Sequence, residues 1–139
     1  MTRNLIALGC AGLLAFGLSF SAFAGSVTDT DADGVPDAYD NCSTTPNGPS
    51  LGTGSCNAQE DYDQDGYGQI CDADFDNNNS TVIGDLNALL ANFGVAADLP
   101  TDIDCNGSTV VGDLNALLAK FGTPPGPSGL ACAGTIPCP

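Results

Sequence analysis

The sequence reads STVIGDLNALLANFG at residues 80–94 and STVVGDLNALLAKFG at residues 108–122, a repeat with a period of 28 residues. The two copies differ only at Ile83/Val111 and Asn92/Lys120. In each copy, large apolar residues recur at i, i+3, i+4 and i+7, which is the spacing of one helix face. These residues are Leu86, Leu89, Leu90 and Phe93 in the first copy and Leu114, Leu117, Leu118 and Phe121 in the second. The repeat therefore predicts two short helices that bury their leucine faces against each other, with Gly94 and Gly122 ending them.

Aspartate dominates the charge of this chain. Its 139 residues carry 17 acidic side chains against two basic ones, with no histidine and a net charge of −15, and Glu60 is the single glutamate. Such a charge repels nucleic acids and anionic membrane surfaces, so neither is an expected partner. Acidic chains with few aromatic residues are often disordered. Aspartate combined with asparagine and glycine is instead typical of turns and of loops that bind hard cations.

Four acidic stretches share the spacing of an EF-hand-type calcium loop. Such a loop supplies oxygen ligands from positions 1, 3, 5, 7 and 12, with a backbone carbonyl at position 7 and a sharp turn at position 6. In the order of those five positions, the candidate ligands are Asp29, Asp31, Asp33, Val35 and Asp40; Asp61, Asp63, Asp65, Tyr67 and Asp72; Asp74, Asp76, Asn78, Ser80 and Asp85; and Asp102, Asp104, Asn106, Ser108 and Asp113. Position 6 is Gly34, Gly66, Asn79 and Gly107, and asparagine tolerates the left-handed conformation better than most residues.

Two interpretations of these stretches are open. They are either polar surface loops with turns built on aspartate, or cages for cations. Three carboxylates at alternate positions repel each other unless a cation lies between them, which favours the cages. Calcium fits better than magnesium, because magnesium prefers fewer protein ligands in a tight octahedron. We expect about four Ca²⁺ ions, and Asp85 and Asp113 should also stabilise the N-termini of the two helices.

Residues 1–24 have the pattern of a secretory signal peptide. Arg3 supplies the positive start, a long apolar run follows, and residues 22–24 form a small-x-small cleavage site. A membrane anchor is the alternative, because the apolar run approaches the length that spans a bilayer; lipoprotein processing at Cys10 is a further one. We expect a chain that is secreted to the extracellular space, with the periplasm or the cell surface as other destinations and no membrane contact after cleavage.

The mature chain would contain an even number of cysteines, which implies a disulfide framework in a small secreted protein. They are Cys42, Cys56, Cys71, Cys105, Cys132 and Cys138. The sequence alone does not choose among the possible pairings. Cys132 and Cys138 are expected to close a small loop in the Pro/Gly-rich tail, residues 123–139, which should be extended. Zinc is not expected, because the chain has no histidine and the mature part has no C-x-x-C pair.

The first half of the chain resembles thrombospondin type 3 repeats. The resemblance rests on DTDADGVPDAYDNC at residues 29–42 and NAQEDYDQDGYGQICDAD at residues 57–74. It implies that residues 25–73 form a segment wrapped around calcium ions with little hydrophobic core. It also implies a disulfide between Cys42 and Cys71. With Cys132 and Cys138 paired in the tail, Cys56 and Cys105 remain to form the third disulfide.

The second half resembles a type I dockerin, with two loop–helix repeats at residues 74–94 and 102–122. The resemblance implies that residues 74–122 form one domain in which the two units pair with pseudo-two-fold symmetry. It also implies a cohesin-like partner, bound through loop positions 10 and 11, here Ile83, Gly84, Val111 and Gly112. The expected fold is therefore small, loop-rich and mainly α: a calcium-wrapped, thrombospondin type 3-like segment followed by a dockerin-like pair of EF-hand-type loop–helix units.

These features predict a secreted, calcium-ordered binding module that docks onto or adheres to another extracellular protein. One alternative is a structural protein that calcium stiffens and that assembles with copies of itself into a matrix or filament. Another is an accessory role in polysaccharide breakdown, implied only by the dockerin resemblance. An enzyme is not expected, because the chain has no histidine and a single lysine. Its paired aspartates, which a glycosidase would use as acid and base, already belong to the loops.

Overall fold

Two short helices are the main regular elements of the structure. The computed structural model describes residues 27–51 and 56–139, and the predicted signal peptide lies outside these residues. Within them, α1 spans Ile83–Asn92 and α2 spans Val111–Lys120, while Asp37–Tyr39 and Pro49–Leu51 each form a single turn of 3-10 helix. The described residues contain no β-strand, and none of their helices is long and apolar enough to cross a membrane. The expectation of a small, loop-rich, mainly α fold is confirmed.

Each helix begins where an aspartate of its first turn reaches back to the preceding backbone. Val82 N–H donates to Asp85 Oδ2 at 2.7 Å, and Val110 N–H donates to Asp113 Oδ2 at 2.7 Å. These bonds satisfy backbone donors that have no partner inside a helix. A carboxylate in the first turn also interacts favourably with the helix dipole. The two helices therefore start in the same register relative to their acidic loops.

The end of each helix is joined to the loop of the other unit. Gly94 and Gly122 follow α1 and α2 with φ of 85° and 81°, a left-handed conformation that glycine adopts without steric cost. Gly94 N–H donates to Thr109 O, and Gly122 N–H donates to Thr81 O, both at 2.8 Å. The two loop–helix units are thus connected by equivalent bonds in both directions, an approximate two-fold arrangement.

The hydrophobic core is small and lies between the two helices. Leu89 and Leu117 are fully buried, and they pack with Ala73 and Ile103. Partly buried apolar residues surround this cluster: Phe75, Leu86, Leu114 and Ala116. The prediction that the two leucine faces meet is therefore confirmed for the central leucine of each helix.

The prediction that the whole apolar stripe is buried is wrong for its outer half. Leu90 and Leu118 are each 52% exposed, and Phe93 and Phe121 are 48% and 47% exposed. Each helix has only ten residues, so a pair of them covers one side of each helix and leaves the adjacent side open. The same two sequence positions are exposed in both units, which produces two equivalent apolar faces.

Three disulfides hold the described residues together where the core is too small to do so. They join Cys42 to Cys71, Cys56 to Cys105 and Cys132 to Cys138, with Cα–Cα distances of 5.8, 5.2 and 5.3 Å. These are the pairings expected above. Cys56–Cys105 connects the first half of the chain to the fourth acidic loop, so it crosses between the two halves. Such staples are usual in small secreted chains with little apolar surface to bury.

The C-terminal tail is not the extended segment that its composition predicts. It folds back over the first half of the chain, where Ser43 N–H donates to Pro127 O at 2.9 Å and Gly129 N–H donates to Asp40 O at 2.8 Å. Turns occupy the residues between Cys132 and Cys138. Proline and glycine exclude regular helix and strand, but they leave the remaining backbone groups free to bond to a neighbouring segment, and here those groups do so.

Candidate metal centres

The four acidic loops share one backbone conformation. Position 6 has positive φ in every loop, with values of 95°, 89°, 68° and 85° at Gly34, Gly66, Asn79 and Gly107. Position 4 also has positive φ in every loop, with values of 63°, 61°, 57° and 52° at Ala32, Gln64, Asn77 and Cys105. The sequence predicted the turn at position 6 and missed the one at position 4, because alanine, glutamine and cysteine carry no left-handed preference. The shared shape of the loops imposes that conformation on them.

The carboxylate at position 1 closes each loop from inside. Asp61 Oδ2 accepts the Gly66 N–H at 2.9 Å, and Asp102 Oδ2 accepts the Gly107 N–H at 2.8 Å. In the first loop, Asp29 Oδ2 accepts the Gly34 N–H at 3.1 Å. In the third loop Asp74 accepts from the Asn78 and Ser80 N–H groups, each at 3.1 Å. These bonds fold the loop around the side chains of positions 1, 3 and 5.

Three carboxylates converge in every loop. In each group, one ligand oxygen per residue lies within 4.8 Å of the others. The groups are Asp29, Asp31 and Asp33; Asp61, Asp63 and Asp65; Asp74, Asp76 and Asp85; and Asp102, Asp104 and Asp113. All twelve were predicted as calcium ligands. In the third and fourth loops the position-12 aspartate belongs to the group, because the helix that follows the loop carries it back to the ligand cluster.

Burial makes these clusters unfavourable for free carboxylates. Burial, followed by the neighbouring charges of Asp65 and Asp63, raises the pKa of Asp72 to about 8. Burial also raises the pKa of Asp63 to about 6, with Asp65 and Asp61 adding to the effect. The pKa of Asp31 is raised by burial first and then by Asp33 and Asp40. Burial and the neighbouring negative charges therefore make the ionised form of these carboxyl groups less favourable in the folded chain when no cation is bound.

Several buried oxygen atoms have no hydrogen-bond partner, and most of them lie in the first loop. They are Asp29 Oδ1, Asp31 Oδ2, Asp40 Oδ2, Asn77 Oδ1 and Thr81 Oγ1. Asp40 is completely buried, and a buried acceptor without a partner costs about 1–3 kcal/mol. These acceptors, together with the converging carboxylates, form donor sets made only of oxygen, which suit a hard divalent cation such as calcium. The residues present therefore fit the ion that the sequence predicted.

The remaining predicted ligands are placed less uniformly. Asp40 and Asp72, at position 12 of the first two loops, lie outside the three-carboxylate groups of those loops. Asp72 is nevertheless close enough to Asp63, Asp65 and Asp74 for their charges to raise its pKa. It therefore lies between the second and third loops. The carbonyls of Val35, Tyr67, Ser80 and Ser108 and the side chains of Asn78 and Asn106 stay predictions.

Asn77 is a candidate ligand that the sequence argument missed. Its amide nitrogen donates to Asp63 Oδ2 at 3.4 Å, which joins the third loop to the second, and its Oδ1 is one of the buried unpaired atoms. The signal was present in the sequence, because the second loop ends at Asp72 and the third begins at Asp74. Loops that follow each other so closely share a boundary.

The residues predicted to bind a partner lie at the surface beside the loops. Ile83 and Val111 are 62% and 61% exposed. A side chain at Gly84 would place its Cβ 3.0 Å from Asp76 Oδ2, and one at Gly112 would place it 2.8 Å from Asp104 Oδ2. Glycine at these positions therefore gives the carboxylate at position 3 room to turn toward its loop.

The family model of the thrombospondin type 3 repeat matches this chain at residues 28–49 and 60–81. The two matches contain the first loop, the second loop and the beginning of the third. Thrombospondin type 3 repeats are calcium-binding, extracellular modules, and the three disulfides agree with secretion. Searches of curated proteins and of solved structures gave no match. The comparisons give no support to the dockerin resemblance of residues 74–122, which stays an expectation from the sequence.

Proposed function

We propose that this chain is a secreted, non-catalytic module that calcium orders and that docks onto another extracellular protein. The observation that carries the calcium part is the convergence of three carboxylates in each of four loops of one backbone shape. Lys120 is the single basic side chain in residues 27–51 and 56–139. The protein itself therefore supplies almost no positive charge to offset these clusters.

Calcium supplies positive charge that removes the repulsion within each loop. The chain's own residues then fix the geometry: in the second, third and fourth loops, backbone N–H groups bond to both oxygens of the position-1 carboxylate and fix its orientation. Each of these oxygens keeps a further lone pair for a cation. In the third and fourth loops, Asp85 and Asp113 also bond to the start of the following helix. Calcium binding at these two loops is therefore linked to the stability of α1 and α2.

The docking part of the proposal rests on two equivalent apolar faces. The first contains Ile83, Leu90 and Phe93, and the second contains Val111, Leu118 and Phe121; each of these side chains is about half exposed or more. Contiguous exposed apolar patches often mark sites of protein–protein interaction. The sequence resemblance to a dockerin makes a cohesin-like protein the first partner to test. A role in polysaccharide breakdown would follow only from such a partner.

Calorimetric titration of the oxidised chain 25–139 with calcium, followed in parallel by circular dichroism, tests the calcium part. We expect three to four bound ions, in line with the four loops, and a gain of helix signal. The variants Asp102→Asn and Asp98→Asn form a matched pair, because Asp102 is a predicted ligand and Asp98 is an exposed aspartate outside the ligand groups. The proposal fails if neither calcium binding nor a structural change is detected at millimolar calcium, the range in which extracellular modules bind it.

Self-assembly is the second candidate function. The two apolar faces favour it as well, since a second copy of the chain offers the same surfaces. Sedimentation velocity of the calcium-loaded chain at increasing protein concentration separates the two candidates. A monomer at all concentrations supports docking to a different protein, whereas polymers that form with calcium and dissolve with chelator support a matrix or filament subunit. The double variant Leu90→Ser/Leu118→Ser should abolish docking to a partner, or self-assembly if that is what occurs, and should leave calcium binding unchanged.

A further inference from the structure

The C-terminal strap, residues 124–139, contacts the second calcium loop. The contact is made by residues 132–138, a tight turn that the Cys132–Cys138 disulfide closes and that we call the hairpin. Gly134 N–H donates to Asp65 O at 2.8 Å, and Cys138 N–H donates to Gln64 O at 2.7 Å. The two acceptors are the consecutive carbonyls of loop positions 4 and 5. The hairpin is closed by Cys132–Cys138, so both donors belong to one covalent ring that lies against this single loop.

The hairpin also packs against the turn of the same loop. A side chain at Gly66, position 6, would place its Cβ 2.5 Å from Cys138 Sγ and 2.9 Å from Ala133 Cα. At Gly107, the equivalent position of the fourth loop, the nearest atom is Asp98 Oδ1 at 3.9 Å. The φ values of the two glycines are nearly the same, 89° and 85°. The strap is therefore what distinguishes the surroundings of these two otherwise matching turns.

The remainder of the strap continues along the first half of the chain. Gly126 N–H donates to Cys71 O at 3.2 Å, and Gly129 N–H donates to Asp40 O at 2.8 Å. The strap thus touches the end of the first loop, the Cys42–Cys71 disulfide and the centre of the second loop. The third and fourth loops have a different support, because a helix follows each of them directly and its first-turn aspartate completes the carboxylate group.

We propose that the disulfide-closed hairpin positions the second calcium loop, taking the place of the helix that this loop lacks. It holds the carbonyls of Gln64 and Asp65 in the loop conformation that aims Asp61, Asp63 and Asp65 at one point. Gly134 and Cys138 act on the ion through the loop and are positioning residues. The inference rests on calcium binding as proposed above, and it predicts that opening the hairpin weakens one site selectively.

The test is a calcium titration of the full mature chain followed by amide NMR, with one reporter for each loop. The backbone amides of the position-6 residues, Gly34, Gly66, Asn79 and Gly107, report the four sites separately. In the double variant Cys132→Ser/Cys138→Ser, we expect calcium to bind about tenfold more weakly at the Gly66 reporter, the scale of losing one to two backbone hydrogen bonds. The Gly107 reporter should keep its midpoint.

A second pair of variants keeps the inference falsifiable if the serine variant folds poorly. Gly66→Ala and Gly107→Ala impose the same backbone strain at the same loop position, but only the first introduces a side chain against the hairpin. Each variant is expected to weaken calcium binding at its own loop. The loss of affinity should be about ten times larger for Gly66→Ala at the second loop than for Gly107→Ala at the fourth loop. In the serine background, where the hairpin is free to move away, this excess should disappear.

The following results would overturn the positioning role of the hairpin or the proposed function itself. Equal weakening at Gly66 and Gly107 in the serine variant, or no weakening at either, overturns the positioning role of the hairpin while leaving calcium binding in place. Equal effects of Gly66→Ala and Gly107→Ala overturn it as well. If no position-6 amide of the unmodified chain responds to calcium, the proposed function itself fails.

Discussion

Asp113 combines two contributions to stability, and our proposal predicts that calcium reverses the sign of one of them. The residue is completely buried, its Oδ2 accepts the Val110 N–H at 2.7 Å, and its Oδ1 accepts the Asp104 N–H at 3.1 Å. One of its oxygens lies within 4.8 Å of carboxylate oxygens of Asp102 and Asp104. Asp113→Asn keeps the shape and one acceptor oxygen but removes the charge, so it separates helix capping from charge repulsion.

The expected magnitudes follow from these distances. Each like-charge pair at this separation costs about 1 kcal/mol in bulk water and up to about 4 kcal/mol near a protein surface. Without calcium, neutralising Asp113 relieves two such pairs, at least about 2 kcal/mol, and weakens the helix cap by about 1 kcal/mol. The free energy of unfolding should therefore rise by about 1 kcal/mol or more in chelator. With calcium the variant loses an anionic ligand, and the free energy of unfolding should fall by about 2–3 kcal/mol.

Urea unfolding of the disulfide-intact chain 25–139, once with chelator and once with excess calcium, measures both values. Asp98→Asn is the matched control, because it makes the same chemical change at an exposed aspartate outside the carboxylate groups. It should change the free energy of unfolding by less than about 0.5 kcal/mol in either condition. A change of the same sign and size with and without calcium for Asp113→Asn would refute the view that the cluster holds a cation.

Three further predictions concern the core, a disulfide and pH. Leu89→Ala should lower the free energy of unfolding by about 2–5 kcal/mol and Leu90→Ala by less than about 1 kcal/mol in urea titrations, since Leu89 is fully buried and Leu90 is 52% exposed. Replacing Cys56 and Cys105 by serine should cost about 2–4 kcal/mol, seen as a lower melting temperature at constant calcium, because their disulfide closes a loop over a sequence separation of 49 residues. Burial raises the pKa of Asp72 from 3.8 to about 8, so its proton is held more tightly in the folded, calcium-free chain. The free energy of unfolding in chelator should therefore fall as pH rises from about 4 to about 8, a trend that pH-dependent urea titrations should find reduced in Asp72→Asn.

The sequence by itself determined the features that depend on short-range spacing. The alternating aspartates, the turn at position 6 and the start of each helix involve residues no more than twelve positions apart within one loop. Local backbone geometry decides such features, because a loop of fixed length can bring its carboxylates together in few ways. The repeat likewise predicted that the leucine faces of the two helices meet, since helical periodicity is a local property. Leu89 and Leu117 do meet in the core.

Only the tertiary structure decided which surfaces are covered. Periodicity places Leu89 and Leu90 on one stripe, but the limited area that two ten-residue helices bury against each other leaves the second leucine about half exposed. The return of the tail to the carbonyl of Gln64 joins that residue to Cys138, 74 positions away in the chain. No local pattern encodes such a contact. Proline and glycine in the tail disfavour regular helix and strand, but they do not determine which carbonyl groups accept hydrogen bonds from the backbone N–H groups of the tail.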